Sequence, residues 1–247
     1  MKKGNTPAIL DIMKKNWLAV ALFIVLGLLS FHRHHIVPSI RGRFEYLVFI
    51  FIQAILFLGI YTVRMMILTG LLRMAHLYGP KEQWITKLLK VGAHFFRRLL
   101  LFIMMYVAAQ LAIHLVFVKL SNAQFLPSGF KEWMGPIHFL FAIILPFALM
   151  KLLLLVPALI IVRDCTVLDA IKSIKDYKLL GAQGLVLLFV AYQLCSFLFG
   201  PLLPLKGYSG IFIKFYASKI IKNLLLVITG LGAIEFVGGL GTQTDNE

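Results

Sequence analysis

The chain has 247 residues, of which 60% are hydrophobic and 14% charged, and its mean hydropathy is +0.90. Globular domains carry roughly 25% charged residues, so this composition excludes a water-facing coat around a domain of this size and predicts an outer wall that is apolar all round. A formal net charge of +15, from 25 Lys and Arg against 10 Asp and Glu, would suggest nucleic acid in a soluble domain; here the cations cluster between apolar runs, where anionic headgroups account for them, and nucleic acid is set aside as a partner.

The elements follow in chain order. A basic start, Met1-Lys2-Lys3, leads to an apolar run that ends Ser30-Phe31-His32-Arg33 with no small-x-small cleavage pattern. It is read as a retained first span over about 12–31, with Lys14, Lys15 and Trp17 at its interface. A span needs about 20 apolar residues in helical form. On that basis a second runs over about 47–72, carrying Gln53 and Arg64, and a third over about 99–118, carrying Gln110 and His114. A fourth over about 136–162 contains Pro146 and Pro157, which predict a kink or tilt. The fifth, about 182–205, carries Gln193 and breaks near Gly200-Pro201. The sixth, about 211–240, opens on Lys214, Lys219 and Lys222, which share one stripe of a helical wheel, and is nearly uncharged from Asn223 onward. It is read as one bent helix rather than an interfacial helix feeding a short span.

Two connections have amphipathic patterns. Over about 80–98, Trp84, Leu88, Val91, Phe95 and Leu99 recur at helical spacing, with Lys87, Lys90, His94 and Arg97 opposite; Pro80 is tolerated in a first helical turn. Over about 166–180, Thr166-Val167-Leu168-Asp169 has the form of a capping box. There Val167, Ile171, Ile174 and Tyr177 share a face away from Lys172 and Lys175, and Gly181 is placed to close the helix. Both are expected to lie in the interface, apolar face down and basic face toward headgroups.

Basic residues set the orientation. With the N-terminus inside, the cytoplasmic segments hold Lys2, Lys3, Lys14 and Lys15, then Arg73, Lys81, Lys87, Lys90, Arg97 and Arg98, then Arg163, Lys172, Lys175 and Lys178. The outer segments hold Arg33, Arg41, Arg43, Lys119, Lys131 and Lys206, joined by Lys214, Lys219 and Lys222 if the start of the last segment is counted there, and either count is the smaller. The expected fold is therefore an all-α, polytopic transmembrane bundle of about six spans, N-in and C-in, forming one domain over 1–247 with two cytoplasmic interfacial helices.

The run Leu153-Leu154-Leu155-Val156-Pro157-Ala158-Leu159-Ile160-Ile161-Val162, then Thr166-Val167-Leu168-Asp169-Ala170-Ile171-Lys172-Ser173, then Tyr177-Lys178-Leu179-Leu180-Gly181, resembles the bacterial membrane domain found beside glycerophosphodiester phosphodiesterases and its small stand-alone relatives. There a proline-bearing span leads into a short Ser/Thr-x-x-Glu/Asp-Ala-x-x-x-Ser helix; here Ser173 comes one residue early. The resemblance extends loosely over 47–222. It implies a membrane scaffold in a bacterial inner membrane, because the hydrolase activity of that family belongs to a separate domain.

Few residues point to chemistry. His32 and His35 could share a helix face as metal ligands, but no third ligand lies nearby, and an interfacial loop is the simpler reading. Cys165 and Cys195 follow no ligand spacing. Gln110 and His114, four apart, share a face and are expected to turn into the bundle, as is Gln193. Arg64 and Glu235 are the opposite charges expected to pair within it, at matching depths below the cytoplasmic ends of their spans. No nucleophile elbow, zinc-protease motif or phosphate loop is present, so no catalytic, cofactor or metal residue is assigned. The leading reading is a non-catalytic membrane subunit or scaffold that binds lipid, anionic on the cytoplasmic face, or another membrane protein or a second copy of itself, or both. A transporter with a polar cavity and an intramembrane enzyme are the alternatives.

Overall fold

A computed structural model describes residues 6–36, 43–121, 133, 136–137, 144–177, 182–202 and 207–244, and every regular element among them is a helix. In chain order these are α1 (Thr6–Lys15), α2 (Trp17–Ile36), α3 (Arg43–Tyr78), α4 (Ile85–Ser121), α5 (Met150–Arg163), α6 (Val167–Ser173), a 3₁₀ turn (Ile174–Asp176), α7 (Gln183–Leu202) and α8 (Gly207–Thr244).

The expectation of about six spans is corrected. Among the described residues three helical stretches are long and apolar enough to cross a bilayer, Phe51–Tyr78, Ile85–Leu120 and Ile213–Gly239. A fourth is reached only if α1 and α2, bent by 83° at their junction, count as one. The physical reasons differ by segment. The first expected span is broken at Asn16. The fourth is represented by α5, a helix of 14 residues, with 138–143 outside the described residues. In the fifth, the apolar part whose side chains are described ends at Cys195 and is too short by itself. The expected interfacial helix over 80–98 starts only at Ile85, with Pro80 outside it, and runs on into the third span as a single unbroken helix, α4, because nothing near Arg97-Arg98 interrupts the backbone ladder.

Close backbone approach locks α3 to α4. Gly70 of α3 lies against the Leu88 carbonyl and Gly92 of α4 against the Met66 carbonyl, so near that a methyl group at either position would overlap the facing backbone. The Thr69 hydroxyl lies 3.1 Å from the Gly92 carbonyl oxygen and 2.8 Å from that of Met65. Small residues that let helices touch, with a hydroxyl bridging them, are what holds helices together where lipid removes the hydrophobic drive. Around this crossing Ile67, Leu71, Leu88, Phe95 and Leu99 are buried, together with Leu155, Val156 and Ala158 to Ile161 of α5 and Val227, Leu231 and Val237 of α8.

Side chains tie the neighbouring elements to this core. Asn16, 4% exposed at the α1–α2 bend, donates from Nδ2 to the Ile12 and Lys81 carbonyls at 3.0 and 3.1 Å and accepts from the Gln83 N–H at 3.0 Å. α3 ends at Gly79, whose φ of 64° suits glycine and whose N–H donates to the Ala75 carbonyl. Arg73 of α3 donates to the Ile161 and Val162 carbonyls at 2.6 and 2.9 Å, satisfying the end of α5 with a cation where the helix dipole favours one. The Thr166 hydroxyl accepts from the Asp169 N–H at 3.3 Å, as the capping box predicts, while the Asp169 carboxylate turns to that hydroxyl at 2.5 Å.

The α6 elbow does not offer its apolar face to lipid. Val167, Ile174 and Tyr177 are buried in the protein's own core, and Lys172 and Lys175 are exposed. Arg163 donates to the Tyr177 hydroxyl at 2.8 Å, and burial raises the Tyr177 phenol above its ordinary value, keeping it a neutral acceptor. Gly181, expected to close this helix, lies outside the described residues.

Candidate functional site

Two features stand out, a basic rim at one end of the bundle and a polar cluster within it. The rim gathers exposed cations from separate elements: Lys14 and Lys15 of α1, Lys81 of the α3–α4 connection, Lys87 and Lys90 of α4, and Lys172 and Lys175 of α6. The Asn16 bonds bring the first two groups together. The Asp164 carboxylate, 3.1 Å from Arg98, joins the end of α5 to α4 beside α6. Trp17 and Trp84 are 65% and 83% exposed among these cations, the placement expected of indoles at a membrane–water interface. The Lys87 ammonium lies 5.0 Å from the Tyr78 ring centre.

The polar cluster forms where α2, α3 and α8 meet. Arg64 donates from Nη2 to the Asn223 side-chain oxygen, and its guanidinium lies 4.3 Å from the centre of the Phe23 ring, within cation–π range. Gly27 makes room for the pair, since a methyl group there would lie 2.6 Å from the Asn223 amide nitrogen. The Arg64 Nε is buried and has no hydrogen-bond partner among the described residues. Beside this pair on α3 and α8 a cavity of about 270 Å³ opens, lined mostly by apolar side chains such as Leu68, Leu154 and Phe189, and also by Tyr192, Gln193 and Thr229. Thr229 is 5% exposed, and its hydroxyl has no partner among the described residues. The Lys222 ammonium lies 5.1 Å from the Tyr192 ring centre.

The residues singled out from sequence separate in the structure. Arg64 takes Asn223 and not Glu235, which is exposed and lines another cavity, of about 330 Å³, with His76, Ile9 and Ile12. Asn223 precedes Glu235 by about 18 Å of helix at 1.5 Å per residue. The expected match of depths fails because α3 continues past Leu72 to Tyr78, which sets Arg64 near the middle of its span. Gln110 donates to the Tyr106 hydroxyl at 3.1 Å on its own helix, and His114 is exposed. Gln193 alone of the expected amides lines the central cavity. The side chains of His32, His34 and His35 lie outside the described residues. Asn223, Phe23, Thr229 and Asn16 escaped the sequence reading. The available signal was a lone amide inside an apolar run, which identifies Asn223 as readily as Gln110.

Compared with known proteins, the chain matches no family model, no curated protein and no solved structure.

Proposed function

We propose that this chain is a non-catalytic membrane scaffold that binds anionic lipid headgroups through its basic rim. The observation that carries the reading is the convergence of cations from α1, the α3–α4 connection, α4 and α6 at one end of the bundle, with two exposed tryptophans among them. Each lysine near an anionic surface contributes about 1 kcal/mol, so a rim of this size makes lipid preference substantial. Of the acids at that end, Asp11 is engaged by Lys15 at 3.2 Å and Asp164 by Arg98; Glu82, Asp169 and Asp176 are exposed there as well, and the rim lysines outnumber them. The same distribution supports a cytoplasmic N-terminus, and the resemblance of 153–181 supports a bacterial inner membrane. A second membrane protein, or a second copy of the chain, is the further partner of this scaffold.

Native mass analysis from nanodiscs of phosphatidylcholine with phosphatidylglycerol tests the reading. Retained phosphatidylglycerol should exceed its share of the bilayer, and joint replacement of Lys81, Lys87, Lys90, Lys172 and Lys175 by Gln should return it to that share. Retention that follows bulk composition in the unaltered protein counts against lipid binding at the rim. An impermeant maleimide that labels Lys90→Cys from outside intact cells counts against the orientation.

A further inference from the structure

We propose that the bundle interior binds one single-chain anionic amphiphile, its acidic head on Arg64 and its chain in the adjoining cavity. The proposal deepens the lipid-binding reading but concerns a site apart from the rim, so the two stand or fall by different substitutions.

Arg64 lies fourteen residues before the end of α3 at Tyr78, which is about 21 Å of helix. That distance exceeds what an arginine side chain bridges by snorkelling to headgroups. A cation at such depth is costly unless matched by counter-charge or hydrogen bonds. Its partners among the described residues are neutral: the Asn223 amide oxygen and the face of Phe23. None of the ion pairs among the described residues includes it. Among the described residues Nε is a buried donor without an acceptor, and donors on a guanidinium favour a carboxylate or phosphate oxygen. Lys222 neighbours Asn223 in sequence and brings a second cation over Tyr192, which itself lines the cavity.

The cavity defines the rest of the ligand. Met65 and Leu68 follow Arg64 by one and four residues and Leu226 follows Asn223 by three, so the apolar lining begins within one turn of the polar pair on both helices. Its volume of about 270 Å³ lies at the lower limit of ligand clefts, roughly 300 Å³, which suits one chain rather than the two of a phospholipid. The Thr229 hydroxyl is one of a few polar points in that lining, with Tyr106, Tyr192 and Gln193.

The test uses the full chain in nanodiscs of phosphatidylcholine alone, titrated with radiolabelled oleate, oleoyl lysophosphatidate or oleyl alcohol. At least one of the two anions should bind saturably, one per chain, with the alcohol weaker by about tenfold or more, the scale of a charged hydrogen bond. Oleate alone identifies a carboxylate head, and lysophosphatidate alone a phosphate head. Arg64→Gln should reduce the anion to the level of the alcohol. Ala233→Phe, which fills the cavity wall and keeps Arg64, should abolish saturable binding, and the rim glutamines should leave it unchanged. Absence of saturable binding, or an alcohol that binds as tightly as the acids, overturns the proposal even if Arg64→Gln yields no folded protein.

Discussion

The two halves of α4 are built from similar apolar residues and meet opposite surroundings. In the half next to the basic rim, Leu88, Phe95 and Leu99 are 0%, 4% and 3% exposed; in the other half Met104, Val107, Leu111 and Leu115 are 61%, 56%, 55% and 50% exposed. Hydrophobicity does not separate them. What does is the meeting of Gly70 and Thr69 with Gly92, which lets two backbones touch and share a hydroxyl. In lipid a leucine gains little by leaving acyl chains for another helix, whereas close packing and hydrogen bonds are not available from the bilayer. The contrast between the halves therefore reports where helix–helix contact is specified, and where the wall of the bundle is left to lipid or a neighbour.

The strongest way to break the contrast is to remove the approach itself. Gly92→Ala should be the most damaging single change, followed closely by Gly70→Ala, because the added methyl group meets backbone carbonyls that cannot rotate away. The expected loss is about 3 kcal/mol or more, at the severe end of overpacking, read as a fall in unfolding midpoint in detergent and in monodisperse yield. A variant as stable as the parent would show that the crossing is loose and that burial in the inner half has another cause.

Asn16→Ala comes next. It deletes the two donors and one acceptor that hold the α1–α2 bend against the α3–α4 connection, leaving the Lys81 carbonyl and the Gln83 N–H without those partners. A cost of about 2 kcal/mol is expected, in the range for stranded polar groups. Amide exchange over 79–84 should accelerate while the α3–α4 crossing keeps its protection. Uniform acceleration across the chain would instead mean that the bend belongs to the core that the crossing organises.

These two sites also show what was legible in the sequence. The membrane setting, the all-helical class and the Thr166 cap follow from composition and local pattern, because lipid permits few backbone solutions and a cap is decided within four residues. The bend at Asn16 was not legible. Its cause is a contact with Lys81 and Gln83, far away in sequence, and nothing in Ile12 to Trp17 forbids a straight helix. The sequence pattern marks the inner half of α4 as amphipathic, yet it points that apolar face to lipid. A greasy stripe has the same sequence whether it meets lipid or protein, and only the small residues at Gly70 and Gly92 mark the difference. Arg64 was recognised as needing a partner, but an ion-pair rule selects Glu235 and passes over a neutral amide such as Asn223. The span count failed for a related reason: hydropathy gives the extent of apolar runs without showing where a helix bends or merges with the next.

Asp164→Asn tests the edge of the packed half. The carboxylate meets Arg98 at 3.1 Å and His94 at 3.4 Å with all three side chains substantially exposed, while its backbone has a φ of 55°. Asparagine accepts that conformation as readily as aspartate, so only the exposed charge pairing is lost, worth about 0–1 kcal/mol. The deficit should shrink in high salt. A larger, salt-independent loss would mean that the carboxylate helps to shape the α5–α6 junction.

The smallest effect is expected in the outer half of α4, where Leu115→Ala should change stability by less than about 0.5 kcal/mol. Leu115 is 50% exposed, and the surroundings of that exposed surface are acyl chains in the folded bundle and in a state whose helices have separated but still span the bilayer. Removing the side chain thus subtracts nearly the same interaction from both states, and the transfer penalty that a buried leucine would suffer does not arise. Insertion into the bilayer is a different equilibrium. Exchanging leucine for alanine weakens it somewhat, so yield and stability must be read separately. The measurement is reversible unfolding in mixed micelles at several protein concentrations. A loss of about 2 kcal/mol or more would place Leu115 in a packed interface. If that loss also grows as the protein is diluted, the interface lies between copies of the chain, and the exposed half of α4 is a contact surface rather than a lipid-facing wall.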